Sequence, residues 1–415
     1  MKTMVSMQTL IFLLLCLISF SYTSSDHQYN EVNFEPDDDY YSGRVIKIPL
    51  IRMESALQRM ARENIHPRVI ESFFMRAAKN SSGVPVPLFK FLDTEFYGEI
   101  LIGHPGQKFK VVFDTAWANT WVPSVLCPVV QVACILRNKY DASRSSTYIK
   151  NNKPFDIKLG SLDLKGKLST DLFHINQVNV TNVTFAEISD MPWILFFSKA
   201  DGVVGLAFAD VAVDGVIPLF YDMIKQGLVD QRIFSFYMNR DPASPKGGTI
   251  MFGGVEKRHY LGNFTDVKII PKTGLWTFQI DGIFTSRKKS DKFCTSGCQA
   301  FADTSENTIR GPADDIDMLN SIIGAQSFYF GRYIVNCNNV NTLPKVTFFI
   351  KNRNFTLKGQ DYIQKMTWGP VTICLSSFKK SDTANTWALG AAFLSRFYVR
   401  FDMQRMLIGF ADARL

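Results

Sequence analysis

The chain has 415 residues, 46% of them apolar, a formal net charge of +8 and a mean hydropathy of +0.00. It is long and apolar enough to bury two cores, which excludes a wholly disordered chain and a single minimal domain. The positive charge is spread along the chain, not gathered into a basic block with aromatics, so nucleic acid is excluded as a partner. A solvated basic surface is the plain reading, with an acidic partner or a membrane surface as the alternative.

Leu10 to Phe20 is the one long apolar run, led by Lys2 and followed by Ser21, Thr23, Ser24 and Ser25. It is too short to span a bilayer and reads as a cleaved secretory signal, the alternative being an uncleaved anchor. Asp26 to Tyr41 carries Glu31, Glu35, Asp37, Asp38 and Asp39 around Pro36, and an acidic disordered tail is expected there. Val45 to Leu50 alternates apolar and basic residues as an edge strand would, and Glu54 to Ala78 reads as helix or, more plainly, as an amphipathic surface helix. Lys79 to Pro87 is rich in Ser, Gly and Pro and suits exposure and cleavage.

From Leu88 onward the chain becomes short β-runs separated by Gly, Asn, Asp and Pro, an all-β organisation. Two helices are expected within it. Ile217 to Gln226 places Leu219, Phe220, Met223 and Ile224 on one face, and Met318 to Ile323 is the second. Lys246-Gly247-Gly248 and Phe252-Gly253-Gly254 mark turns near a boundary placed at about residue 246. Trp276 to Ile283 starts a new alternating run.

Cys16 lies in the apolar leader, which leaves Cys127, Cys134, Cys294, Cys298, Cys337 and Cys374 for an oxidising compartment. Spacing alone leaves their connectivity open. Zinc is rejected because the histidines do not cluster beside these residues. Sequons at Asn80, Asn179, Asn182, Asn263 and Asn354 suit a secreted or endomembrane glycoprotein.

The chemistry-bearing signal is a repeat. Val111-Val112-Phe113-Asp114-Thr115 and Ala300-Phe301-Ala302-Asp303-Thr304 each end an apolar run in Asp-Thr. Each is followed, at nearly the same offset, by an apolar-apolar-Gly element, Val203-Val204-Gly205 and Ala388-Leu389-Gly390. Two carboxylates that meet must share one proton, so that one acts as general base on a water while the other donates to a carbonyl oxygen. Ordinary loop carboxylates are the bland alternative, and the pairing argues against it.

These residues resemble the pepsin family of aspartic proteases, and the cathepsin D and renin branch in particular. Tyr97-Gly98-Glu99-Ile100, Trp121-Val122-Pro123-Ser124, Asp201-Gly202-Val203-Val204-Gly205-Leu206, Phe234-Ser235-Phe236-Tyr237 and Ile408-Gly409-Phe410 fall in that family's order. The resemblance implies a bilobal all-β fold with a cleft between two pseudo-symmetric lobes. It divides the chain into a signal peptide (1–24), a propeptide (25–85), an N-terminal lobe (86–246) and a C-terminal lobe (247–415). Asp114 and Asp303 match the catalytic aspartates, and Thr115 and Thr304 the threonines that cross-link the two loops. Trp121 matches the tryptophan that supports the flap, where Leu159 and Gly160 stand, and Tyr140 sits in the familiar Lys139-Tyr140-Asp141 stretch. The implied disulfides are Cys127–Cys134, Cys294–Cys298 and Cys337–Cys374. No cofactor or metal is implied. The partners implied are a peptide or protein in the cleft and the chain's own propeptide, whose first strand would join the mature sheet. Lys79, or else Arg76, would pair with the aspartates. A monomer without a stable membrane span is expected.

The same comparison exposes departures. Ala116 and Ser305 stand where the family has glycine, and Trp117 and Glu306 where it has small hydroxyl residues that bond the outer carboxylate oxygens. Leu159 replaces the flap tyrosine and Leu162 a glycine at the flap tip. Ala391 stands where many members have aspartate and renin is similar in having alanine. A third carboxylate pointing inward would tighten the shared-proton state, and a misplacement near 1 Å costs on the order of a hundredfold. The pregnancy-associated glycoproteins, similar in the alanine, include non-proteolytic peptide binders. The expectation is a secreted, lysosomal or endomembrane-lumen homologue with weak or lost proteolysis and a retained peptide-binding cleft. An active endopeptidase is the alternative, and a purely structural glycoprotein a third.

Overall fold

The computed structural model describes residues 44–63, 65, 93–159, 162–288, 290–381 and 386–414. The signal segment, the acidic stretch, Arg76, Lys79, Asn80, the expected cleavage region, Gly160 and the side chains of Leu159 and Leu162 lie outside them.

Strands dominate, in one sheet of 13 strands and smaller sheets of 5, 4 and 4. The repeat seen in the sequence is a repeat of topology. Gln107–Asp114 runs parallel to Gly202–Gly205, with Phe113 opposite Val204 and Asp114 opposite Gly205. Cys298–Ala302 runs parallel to Thr386–Leu389, with Ala302 opposite Leu389. A third strand closes each unit from the other side, Trp121–Pro123 through Trp121 opposite Val203, and Ile309–Gly311 through Arg310 opposite Ala388. Each Asp-Thr pair therefore leaves its strand in a loop that must return to the same short strand, and both loops are pinned at two ends.

Val45 to Leu50 is observed within the strand Ile46–Arg52, and as far as Leu50 it has a strand neighbour on one side only, as an edge does. It lies between Lys246–Phe252 and Phe96–Ile102, buried at Ile46, Ile48 and Leu50. Its second side is paired only at Ile51 and Arg52, so Pro49, which has no N–H, sits where one side has no neighbouring strand. Lys47 is accommodated by Glu256, its Nζ 2.7 Å from Oε1. The basic residue of the alternation is thus held by an ion pair.

The helix after it spans Ala56–Arg62, shorter than the Glu54 to Ala78 expected, and most of the remainder lies outside the described residues. Ser55 and Gln58 form a reciprocal cap. Seven residues are too few to hold a helix unaided. Burial of Leu57 and Met60, about 1.5–3 kcal/mol each, holds it in an apolar cluster with Trp121, Phe155, Ile157, Leu168, Val203 and Phe197 from the first half and Met366 and Leu375 from the second.

The expected helix at Ile217 to Gln226 is found at Leu219–Lys225 with Leu219, Phe220 and Met223 buried. The second helix begins earlier than expected, Ala313–Ile322. Pro312 precedes it, and Asp314 and Asp315 sit in the first turn, where the helix dipole favours negative charge. The run from Trp276 is broken at Asp281 into Thr277–Ile280 and Gly282–Thr285, which belong to different sheets.

Candidate active site

The two Asp-Thr loops meet through their threonines. Thr115 Oγ1 donates to the Ala302 carbonyl at 2.8 Å, and Thr304 Oγ1 donates to the Phe113 carbonyl at 2.6 Å. Each backbone N–H returns the contact, Thr115 N to Thr304 Oγ1 and Thr304 N to Thr115 Oγ1, both at 3.1 Å. These bonds join positions almost two hundred residues apart in nearly twofold fashion. They fix the floor on which Asp114, 2% exposed, and Asp303, 0% exposed, stand.

Glycine is absent beside each aspartate, yet the backbone donors remain. Ala116 N donates to Asp114 Oδ1 at 2.8 Å, and Ser305 N donates to Asp303 Oδ1 at 3.1 Å. Ser305 adds its hydroxyl to the same oxygen at 2.7 Å, so this departure supplies a donor as well as bulk. Trp117 turns to the apolar cluster that holds Trp121, and its buried Nε1 has no hydrogen-bond partner among the described residues.

Glu306, whose direction the sequence left open, does bring a third carboxylate to the second loop, and its surroundings neutralise it. Glu306 is buried at 2% exposure, accepts from the Thr308 hydroxyl and receives Arg310 Nε at 2.6 Å on Oε2. Arg310 also places Nη2 3.5 Å from Asp303 Oδ2. Sequence reasoning missed Arg310, although it stands as far after Asp303 as Trp121 does after Asp114.

Glu95 was also missed. Its Oε1 accepts from Gln364 at 2.6 Å and Asn307 at 3.1 Å, and Arg52 Nη1 lies 3.2 Å from Oε2. Gln58 reaches it at 3.5 Å. One carboxylate thus ties the N-terminal strand and helix to the loop after Asp303. Burial pushes Glu95 up to about 7, with the opposing pull of Arg52 too weak to cancel it. The folded state therefore holds this proton between about pH 4.5 and about pH 7 while the unfolded chain releases it. Glu95→Gln removes the cost of the buried charge. The variant should be more stable than the wild type above about pH 7, with the advantage shrinking on acidification and gone below about pH 4.5, as read from urea midpoints.

Tyr140 is wholly buried and donates to Asp171 at 2.5 Å, which raises its phenol and makes it a structural anchor. Among the described residues no group of three or more His, Cys, Asp or Glu is arranged to hold a metal ion, and no helix is long and apolar enough to cross a membrane. The observed disulfides are Cys127–Cys134, Cys294–Cys298 and Cys337–Cys374, the pairing the resemblance implied. Asn179, Asn182, Asn263 and Asn354 are exposed.

The fold and the paired loops have a match among known proteins. Residues 95–413 match the family described as eukaryotic aspartyl protease. The chain belongs to the pepsin family of aspartic proteases. It is 40% identical to renin of Canis lupus familiaris over 347 residues, 82% of this chain and 85% of that protein. It is 36% identical to cathepsin D of Gallus gallus over 378 residues, covering 88% and 94%, and 34% identical to human cathepsin D over 392 residues, covering 89% and 94%. The mostly β architecture of this chain is that of the pepsin family, its disulfides and its cathepsin D and renin relatives point to the secretory pathway, and the family acts on peptides.

Proposed function

We propose that the chain is a secreted or endomembrane-lumen pepsin-family protein that binds extended peptides in its cleft and in which proteolysis is weak or lost. Asp114 and Asp303 are its dyad, residues 1–24 its signal peptide and 25–85 its propeptide, with the lobes dividing near residue 246. The observation that carries the reading is at Trp117. Its indole faces the apolar cluster and gives no hydroxyl to Asp114, whose Oδ1 is held by Ala116 N. A reacting water needs both carboxyls oriented closely, and an indole stands at Trp117 where the family resemblance places a small hydroxyl residue. Met53, Leu57 and Met60 of the N-terminal segment join an apolar cluster drawn from both halves, which supports the binding of a chain across them independently of chemistry.

A second reading, an active endopeptidase, is favoured by the intact threonine cross-link and by the N–H donors of Ala116 and Ser305. In it, water between the aspartates loses a proton to one carboxylate and attacks the peptide carbonyl, whose oxygen takes the proton of the other.

Affinity that does not depend on chemistry separates the two. The double variant Asp114→Asn/Asp303→Asn, titrated calorimetrically with a mixture of apolar octapeptides, should keep its affinity within about tenfold, roughly 1.4 kcal/mol. Complete loss of affinity in a folded double variant would overturn the peptide-binding reading.

A further inference from the structure

Arg310 is a cation buried inside the strand Ile309–Gly311, between Ile309 and Gly311. Its position is that of Trp121 in the first half. Both stand seven residues after their aspartate, and both pair antiparallel with the short strand beneath the loop. Where one half places an indole at 3% exposure, the other places a guanidinium at 7%. Burying such an ion costs several kcal/mol unless anions face it, so its partners define what it is for.

Those partners are both acids of the second loop. Arg310 bonds Glu306 Oε2 at 2.6 Å and lies 3.5 Å from Asp303 Oδ2, while Glu306 has turned to Thr308 and Arg310. On the neighbouring strand, Lys379 is in register with Arg310. Burial pushes Lys379 down to about 8, against the pull of Asp93 and Glu306, with Arg332 and Arg310 pushing the same way as burial. Asp93 is itself engaged by Arg332 at 2.5 Å. From the strand Phe96–Ile102 side come Asp93 and Glu95, with Thr94 Oγ1 donating to the Ser305 carbonyl at 2.7 Å. The strand Thr386–Leu389 and helix Ala391–Leu394 carry no charged side chain. The helix Ala313–Ile322 carries Asp314, Asp315 and Asp317, the last paired at the surface with Lys380. Asp303 Oδ2 therefore has a guanidinium within 4 Å, and the residue that corresponds to Arg310 in the first half, Trp121, is uncharged.

We propose that Arg310 breaks the symmetry of the pair, holding Asp303 ionised so that the one proton the two aspartates share resides on Asp114. The proposal rests on the reading of Asp114 and Asp303 as a dyad and not on whether cleavage survives. Two adjacent carboxylates hold a single charge between them, and in a symmetric site neither is preferred. A cation at this distance favours the ionised form, by up to about 1–3 pH units when unshared and by less here because Glu306 shares the guanidinium. Asp303 then has the role of base and Asp114 that of proton donor, and Arg310 is a positioning residue that acts through Asp303. Glu306 belongs to the same device. It anchors the guanidinium at the correct height, so a residue that reads as a liability in the sequence becomes the counter-ion that makes a buried arginine tenable.

The test is a titration that needs no turnover. Full-length protein carrying 13C at the aspartate side-chain carboxyls is followed by NMR from about pH 4 to about pH 8, with Asp114→Asn and Asp303→Asn identifying the two resonances. Asp114 should take up its proton at least about one pH unit above Asp303. Arg310→Lys should keep that order, and Glu306→Gln/Arg310→Gln, which removes both charges together, should close the gap. Protonation of Asp303 at the same pH as Asp114, or before it on acidification, overturns the proposal, as does an unchanged gap in the double variant. Should that variant fail to fold, the order of the two wild-type midpoints decides alone. Pepstatin added to the same samples keeps the questions apart: the predicted order in a chain that ignores pepstatin supports the charge assignment and counts against the peptide-binding cleft.

Discussion

Gly390→Ala should lower stability by about 1–3 kcal/mol and weaken binding of a pepstatin-type inhibitor by about a hundredfold. A methyl at this position would lie 2.2 Å from the Thr308 carbonyl oxygen and 2.4 Å from that of Glu306, both of them backbone of the loop that carries Asp303. Side chains can swing aside, but this backbone is held by Gly390 N to Thr308 O at 3.0 Å and Ala391 N to Glu306 O at 2.7 Å. The loop must therefore shift as a whole. Gly205→Ala should behave alike, since its methyl would lie 2.2 Å from the Ala118 backbone beside Asp114. Gly282→Ala, where nothing lies within 4 Å, is the control and should be nearly neutral. Urea unfolding midpoints with inhibitor calorimetry check all of these, and a Gly390→Ala protein with wild-type affinity would show that the loop does not depend on this contact.

Arg310→Met should be the more damaging change, about 3–5 kcal/mol, because it leaves Glu306 and Asp303 buried without their cation. Replacing Glu306 by Leu in the same chain should restore a substantial part of that loss, since a buried pair exchanged for apolar residues of similar size is often close to neutral. The double-mutant cycle at pH 7, read from urea midpoints, gives the coupling. A coupling below about 0.5 kcal/mol would mean that the two charges do not act as a unit.

What was legible in the sequence was what repeats. Asp114-Thr115 and Asp303-Thr304 could be found because each ends an apolar run and each has its apolar-apolar-Gly partner, and these segments are the parallel strand pairs of the fold. The helix at Leu219–Lys225 was legible from its one-sided apolar face. The strand Ile46–Arg52 was recognisable from its alternation, and its open second side up to Leu50 fits the edge character read there, but nothing local said that Lys47 would meet Glu256. Glu306 read as a charge without a partner for a similar reason. Its neutralising arginine is only four residues away, but Arg310 lies in the strand Ile309–Gly311 and nothing local says that its side chain meets Glu306. Glu95 gave no signal at all, since Arg52, Asn307 and Gln364 are brought to it only by the tertiary fold. Arg310 did leave one trace. It occupies the place of Trp121 in the repeat, and a charged residue at the symmetry mate of a buried tryptophan marks a position where the two halves have been put to different use.

The decisive measurement is a side-by-side assay of the full-length protein and a cathepsin D across an acid-to-neutral pH series, following cleavage of a quenched peptide, loss of N-terminal mass and pepstatin binding by calorimetry. Pepstatin binding with turnover at least about a hundredfold below that of the cathepsin D is the predicted result. Pepstatin-sensitive turnover comparable to the cathepsin D, and abolished by Asp114→Asn, would contradict it and establish a working protease.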